Sequence, residues 1–190
     1  MTTFEYLSVF ISIVIGLAVV RVLGGVGTIL DRGRRGTYWV HTAWVGYFTV
    51  WLPYFWWFTF DWRREETWTF PVFFFVVLFA MLAYLSTFVL VPTADEDVSD
   101  LRGYFYRVRP QFFLLQALLV CADVVDTMLK PGNLEDVGPT YLPLMAAVIA
   151  GHLIAARTRN ERYHQFWVLL IILVFATFSL RVYADVFSAV

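Results

Sequence analysis

The chain has 190 residues, 60% of them hydrophobic and only 15% charged, with a formal net charge of −1. An average soluble domain carries about 25% charged and 45–50% apolar residues, so a water-soluble fold of this size is excluded and a membrane is the expected solvent. The near-neutral charge and the lack of a groove-reading basic motif set nucleic acid aside, and a single cysteine, Cys121, excludes disulfides and thiolate metal clusters.

A helix needs about 20 apolar residues to cross a bilayer. On that basis the sequence reads as an all-α, polytopic membrane helix bundle, one transmembrane domain over 1–190 with six spans near 5–30, 38–60, 68–92, 111–129, 140–156 and 165–187. The opening MTTFEYLSV has no basic n-region, so no cleavable signal peptide is expected.

The first span carries Ser8, Ser12 and Gly16 at four-residue spacing, and the fifth carries Ala147, Gly151 and Ala155. Small residues repeated in this way let helix backbones approach closely in lipid. Both stripes are expected to be contact faces, within the bundle or between copies of the chain. Arg21, in the inner half of the first span, is expected to snorkel to the headgroups.

Seven of the eight tryptophans lie between Trp39 and Trp68. Trp39, Trp57, Trp62 and Trp68 fall near span ends, where aromatic belts form. Trp44, Trp51 and Phe58 repeat every seven residues and so share a face of the second span. A packed or lipid-facing aromatic stripe explains that repeat, and an aromatic wall for a hydrophobic or cationic ligand is the alternative.

The one long connection, TADEDVSDLRGYFYRVRP, places Leu101, Tyr104, Phe105 and Val108 on one helical face with arginines beside them. Two readings stand: a short interfacial helix over 98–109, or a solvated loop, with Pro110 opening the fourth span.

Basic residues set the orientation. Arg32, Arg34, Arg35, Arg102, Arg107, Arg109, Arg157, Arg159 and Arg162 fall in loops on one side, and only Arg63, Arg64 and Lys130 on the other. The positive-inside rule places the nine in the cytoplasm and both termini on the extracytoplasmic side. The cytoplasmic arginine loops are then candidate contacts for anionic lipid.

The fourth span holds the most informative residues. Gln116, Asp123 and Asp126 are spaced seven and three apart, which puts them on one side of a helix. A charge at mid-bilayer costs about 2.5–3.5 kcal/mol on insertion scales. At about 1.5 Å per residue, Asp123 lies ~10 Å and Asp126 ~6 Å from the outer boundary. Arg181 in the sixth span lies at about the same depth, with Asp185 one turn further out. An Asp123–Arg181 pair is therefore expected, with Asp126, Asp185 and Glu5 nearby. Such a cluster either fixes helix orientation or forms an ion or proton site.

Enzyme motifs are absent: LGGVGTIL lacks the lysine of a phosphate loop, and no Ser/His/Asp set or metalloprotease motif appears. Lys130, the only lysine, lies at a span end, which rules out a mid-helix retinal Schiff base. His41, His152 and His164 have no metal-ligand spacing, and no cofactor is expected.

FEYLSVFISIVIGLAVVRVLGG, WVHTAW, FWW and DLRGYFYRVRPQFF resemble a group of uncharacterised bacterial six-helix integral membrane proteins of about this length. The resemblance implies the bacterial inner (plasma) membrane and brings no activity with it. The expectation is then a small oligomeric channel or transporter for protons or small cations. Its alternative is a non-transporting membrane subunit or sensor whose charges only orient helices.

Overall fold

The computed structural model describes residues 2–32, 37–93, 100–130 and 137–188. Six α-helices account for nearly all of them: α1 (Thr3–Arg32), α2 (Trp39–Thr59), α3 (Phe70–Leu90), α4 (Leu101–Leu129), α5 (Tyr141–Arg157) and α6 (Glu161–Ser188). One 3-10 turn, Phe60–Arg64, follows α2, and no strand occurs among the described residues.

Four helices, α1, α3, α4 and α6, are long and apolar enough to cross a membrane. The chain is thus an all-α integral membrane protein. α2 is 21 residues long with no acid, lysine or arginine inside it, and α5 has 17 residues.

Side-chain bonds fix how the helices run. At one end Phe4 packs against Phe60, Trp62 meets Asp126 and Phe58 meets Phe178. At the other, Arg21 meets Val91, His41 meets Leu90 and Arg102 meets Glu161. Successive helices therefore alternate in direction, with α1, α2 and α3 packed together, α3 against α4, and α4 most extensively against α5.

The core face of α1 is Leu7, Ile11, Ile15, Ala18, Val22 and Gly25, a run of three- and four-residue steps. Gly25 has a steric reason: a Cβ there would lie 3.0 Å from the Val91 side chain. The Ser8–Ser12–Gly16 stripe points elsewhere. Ser12 and Gly16 are exposed, nothing lies within 4 Å of a Cβ built at Gly16, and Ser12 Oγ accepts a 3.1 Å bond from Trp56 Nε1. Within the chain this stripe is a minor contact, through Ser12 and Trp56, because the larger apolar side chains one residue earlier bury more surface.

The α5 stripe behaves differently. Gly151 and Ala155 are buried and Ala147 is exposed. A Cβ on Gly151 would overlap the Trp167 indole of α6, so only glycine admits that ring. Trp167 is held there by stacking on Tyr163 and by donating to His152 Nδ1 at 3.2 Å.

Of the segment expected as a surface helix over 98–109, or as a loop, residues 101–109 are helical and continue into α4, which runs unbroken through Pro110, while 98 and 99 lie outside the described residues. An interior proline loses one backbone bond and costs about 3 kcal/mol. That loss is outweighed because Leu101, Phe105, Arg109, Phe112, Gln116 and Leu119 form one continuous buried stripe across it. Asp100 caps the helix by accepting the Arg102 N–H at 2.9 Å. Pro53 likewise lies inside α2, its ring on the exposed side.

In the aromatic repeat of α2, Trp44 is core, while Trp51 and Phe58 are half-buried. Trp44 is fully buried, edge-on to Phe112 and Phe113 of α4 and beside His152 of α5.

Candidate functional site

Two polar clusters sit at opposite ends of the bundle. The first closes the C-terminus of α3. The last carbonyls of a helix have no intrahelical donor, and here three consecutive ones are met by three other helices. Tyr104 Oη of α4 donates to Val89 O at 2.9 Å, His41 Nε2 of α2 to Leu90 O at 2.9 Å, and Arg21 of α1 to Val91 O at 2.6 Å. Arg21 also stacks over Phe88, its guanidinium carbon 4.9 Å from the ring centre. The arginine expected to reach for headgroups is therefore a helix cap, drawn by the negative end of the α3 dipole.

The second cluster surrounds the carboxylates of α4. Asp126 is buried and faces inward. It forms a 2.6 Å salt bridge with Lys130 one turn on, and accepts a 2.8 Å bond from Trp62 Nε1. Lys130 is buried too, and donates to Phe58 O near the end of α2 at 3.1 Å. One ion pair thus ties the end of α4 to the end of α2 and its 3-10 turn. Trp62, expected in an interfacial belt, is instead 2% exposed and gives its only N–H to this acid.

Asp123 is set apart. It is exposed on the flank of the bundle, where the first residue of α5, Tyr141, donates to Asp123 Oδ2 at 2.9 Å. Thr127 Oγ1 lies 3.0 Å from the same Tyr141 oxygen. A tyrosine hydroxyl has one proton, so with Asp123 ionised the order is Thr127 to Tyr141 to Asp123. With Asp123 protonated the chain can reverse, each hydroxyl turning to the next acceptor. The three groups accommodate both protonation states.

Gln116, Asp123 and Asp126 lie on one continuous helix but differ in burial. Asp126 and Gln116 are buried and Asp123 is exposed. A three-residue step turns a helix only to within about 60° of the same side, enough to place one acid inside and the other at the edge. Gln116 also lies about 15 Å from Asp126 along the axis, so it belongs to the core and not to the cluster.

The pairing of Asp123 with Arg181, and the place of Asp185, lie outside the described residues, although the backbone of both belongs to α6. Glu5 closes a capping box at the start of α1: Thr2 N donates to Glu5 Oε2 at 2.9 Å, and Glu5 N to Thr2 Oγ1 at 3.2 Å. The sequence reading missed Lys130, Trp62 and Tyr141. Of these only Lys130 left a local signal, the four-residue Asp126–Lys130 step of a helical ion pair.

The three histidines are held separately. His41 bonds Leu90 O, His152 accepts from Trp167, and His164 Nε2 donates to Thr158 O at 3.0 Å.

No protein-family model, curated protein or solved structure matches the chain.

Proposed function

We propose that the chain is a small membrane channel or transporter for protons or small cations, with Asp123 as the carboxylate that carries the species. The observation behind this is the Thr127–Tyr141–Asp123 chain on the exposed flank of α4. It is a hydrogen-bond path that admits either protonation state, beside an acid already neutralised by Lys130. In this reading Asp126 is the anchor and Asp123 the working group. Arg181 and Asp185 on α6 tune it.

All six helices cross the bilayer. The 17 residues of α5 reach about 26 Å, within the range of a short span. The Arg21 end is cytoplasmic, following the arginine-rich loops, and the Asp126 end with both termini is outside. The protein works as a homo-oligomer, since a neighbouring copy or a wet pore would relieve the cost of a carboxylate facing lipid.

A second reading is favoured by the closed Asp126–Lys130–Trp62 set: a non-transporting subunit in which the charges only orient helices. Proton and cation flux into liposomes separates the two. Wild type above empty liposomes, with Asp123→Asn reduced at least tenfold and still folded, supports transport. Wild-type flux no higher than empty liposomes sinks it.

A further inference from the structure

α4 turns Leu114, Leu118, Cys121, Val125 and Met128, a run of four- and three-residue steps, to the outside of the bundle, and all five are exposed. Asp123 is exposed as well, but it stands on the opposite side of the helix, in line with the buried Phe105, Phe112 and Gln116. A side chain on the packed side of a helix is exposed only where the neighbouring helices leave a space. That space is bordered by Tyr141 of α5, which bonds Asp123, and by Tyr47 of α2, which is close enough to feel its charge. Phe175 of α6 stands edge-on to Tyr47 at 5.5 Å, so four helices surround it.

The other walls open in the same direction. α5 meets α6 where Gly151 admits the Trp167 ring and its carbonyl accepts a 2.8 Å bond from Tyr163 Oη. Seven residues nearer the Asp126 end, on the same line of α5, Leu144 is 42% exposed. α6 repeats the change: Trp167, Val168 and Ile171 are buried, Phe175 is half-buried and Phe178 is 41% exposed. Phe175 and Phe178 pack on Tyr54 and Phe58 of α2. α6 thus parts from α5 towards the Asp126 end, and a wedge opens between them with Asp123 on its wall.

The wedge ends blind. Below it Trp44, Phe48, Phe112 and Phe113 are fully buried, with the Trp44 ring centre 5.2 Å from Phe112 and 5.6 Å from Phe113. Just above these rings Gln116 is 5% exposed, and its Nε2 makes no hydrogen bond. A buried amide proton without an acceptor is costly. Gln116 lies about 10 Å below Asp123 on the same line of α4, so water at the foot of the wedge satisfies it.

We infer that this wedge is a water-filled vestibule, open on the extracytoplasmic side and closed below by the aromatic floor, through which Asp123 exchanges a water-borne proton or small cation with the outer solution alone. Water is the occupant because a carboxylate, a tyrosine hydroxyl and an unsatisfied amide give it the several polar partners that a held water needs. The side on which the vestibule opens and its use in transport rest on the topology and function proposed above. For a transporter, a blind vestibule means that the floor opens at another stage, so the chain works by alternating access and not as a standing pore.

The test is labelling of the full chain, in sealed membrane vesicles of known orientation, with a membrane-impermeant charged methanethiosulfonate, which reacts with thiolates that water reaches. Wild-type Cys121, on the outward stripe of α4, is the control. In a Cys121→Ala background, Leu144→Cys and Asp123→Cys are expected to react at least tenfold faster than Cys121 does in wild type. They are also expected to react at least tenfold faster from the extracytoplasmic face than from the cytoplasmic one. If Leu144→Cys fails to fold, Asp123→Cys carries the test alone. Rates no higher than that of Cys121 overturn the vestibule, with lipid as the occupant. Rates that rise only after Arg181→Ala overturn it too, with the Arg181 side chain, which lies outside the described residues, as the occupant. Equal rates from both faces overturn the floor, and faster labelling from the cytoplasmic face overturns the outward opening. Wild type that carries no flux yet labels as expected supports the vestibule and sinks only the transport reading.

Discussion

The two ends of the bundle solve the same problem with different chemistry. At the Arg21 end the acceptors are backbone carbonyls of α3, and each receives one donor from a different helix. At the Asp126 end the acceptors are side-chain carboxylates, one buried with a lysine and one exposed beside a tyrosine. A carbonyl cannot change its charge, so the acceptors of the first cluster are fixed, and their three donors tie α1, α2 and α4 to the end of α3. A carboxylate can take up a proton, and of the two acids Asp126 is buried while Asp123 is exposed on the flank of the bundle.

Substitutions can break this contrast. The largest effect is expected from Asp126→Ala, which leaves Lys130 buried without its counter-charge. Such a loss costs about 3–5 kcal/mol and should appear as a large drop in unfolding midpoint in detergent. Adding Lys130→Met should recover much of the loss. Equal instability of the double and single variants would mean that the pair is not the coupling unit.

His41→Leu comes next. It strands the Leu90 carbonyl, and an unsatisfied buried acceptor costs about 1–3 kcal/mol, read from the same thermal scan. Tyr104→Phe removes one interhelical hydrogen bond and no volume, with an expected loss near 0.6–1 kcal/mol. A loss as large as that of Asp126→Ala would contradict the division between ends.

The smallest stability effect is expected from Asp123→Asn. It keeps an acceptor for Tyr141 on an exposed site, so the melting curve should shift by less than about 1 kcal/mol while flux falls. A variant that melts like Asp126→Ala would make Asp123 structural, as the second reading requires.

Much of this architecture was legible in the chain. Apolar length alone marks α1, α3, α4 and α6, because lipid demands that a crossing backbone satisfy itself in a helix. That the acids of α4 need partners was legible too, since ionisable groups are rare in apolar runs, and Asp126 finds Lys130 and Trp62 while Asp123 finds Tyr141. Lys130 could have been paired with Asp126 by its four-residue step, had its place at the helix end not suggested a surface position.

What stood outside local pattern were the residues that reach across helices. Trp62 and Asp126 are 64 positions apart, and Arg21 and Val91 are 70. No periodicity within either segment signals such a bond. The stretch around Pro110 was misread because proline is weighed locally as a helix start, while the stripe from Leu101 to Leu119 that carries the helix through it is a matter of packing.

The sequence by itself determined a helical protein built for lipid, with acids in its fourth helix that needed partners. Those properties follow from composition and from the 3.6-residue period, which are local. Which acid turns inward, which helix donates to which carbonyl and why Gly151 must be bare were decided only by the tertiary structure. Each depends on the rotation of one helix about its axis relative to another. That rotation is set by the fit of Trp44, Trp62 and Trp167 between helices, a shape that exists only once the helices have met.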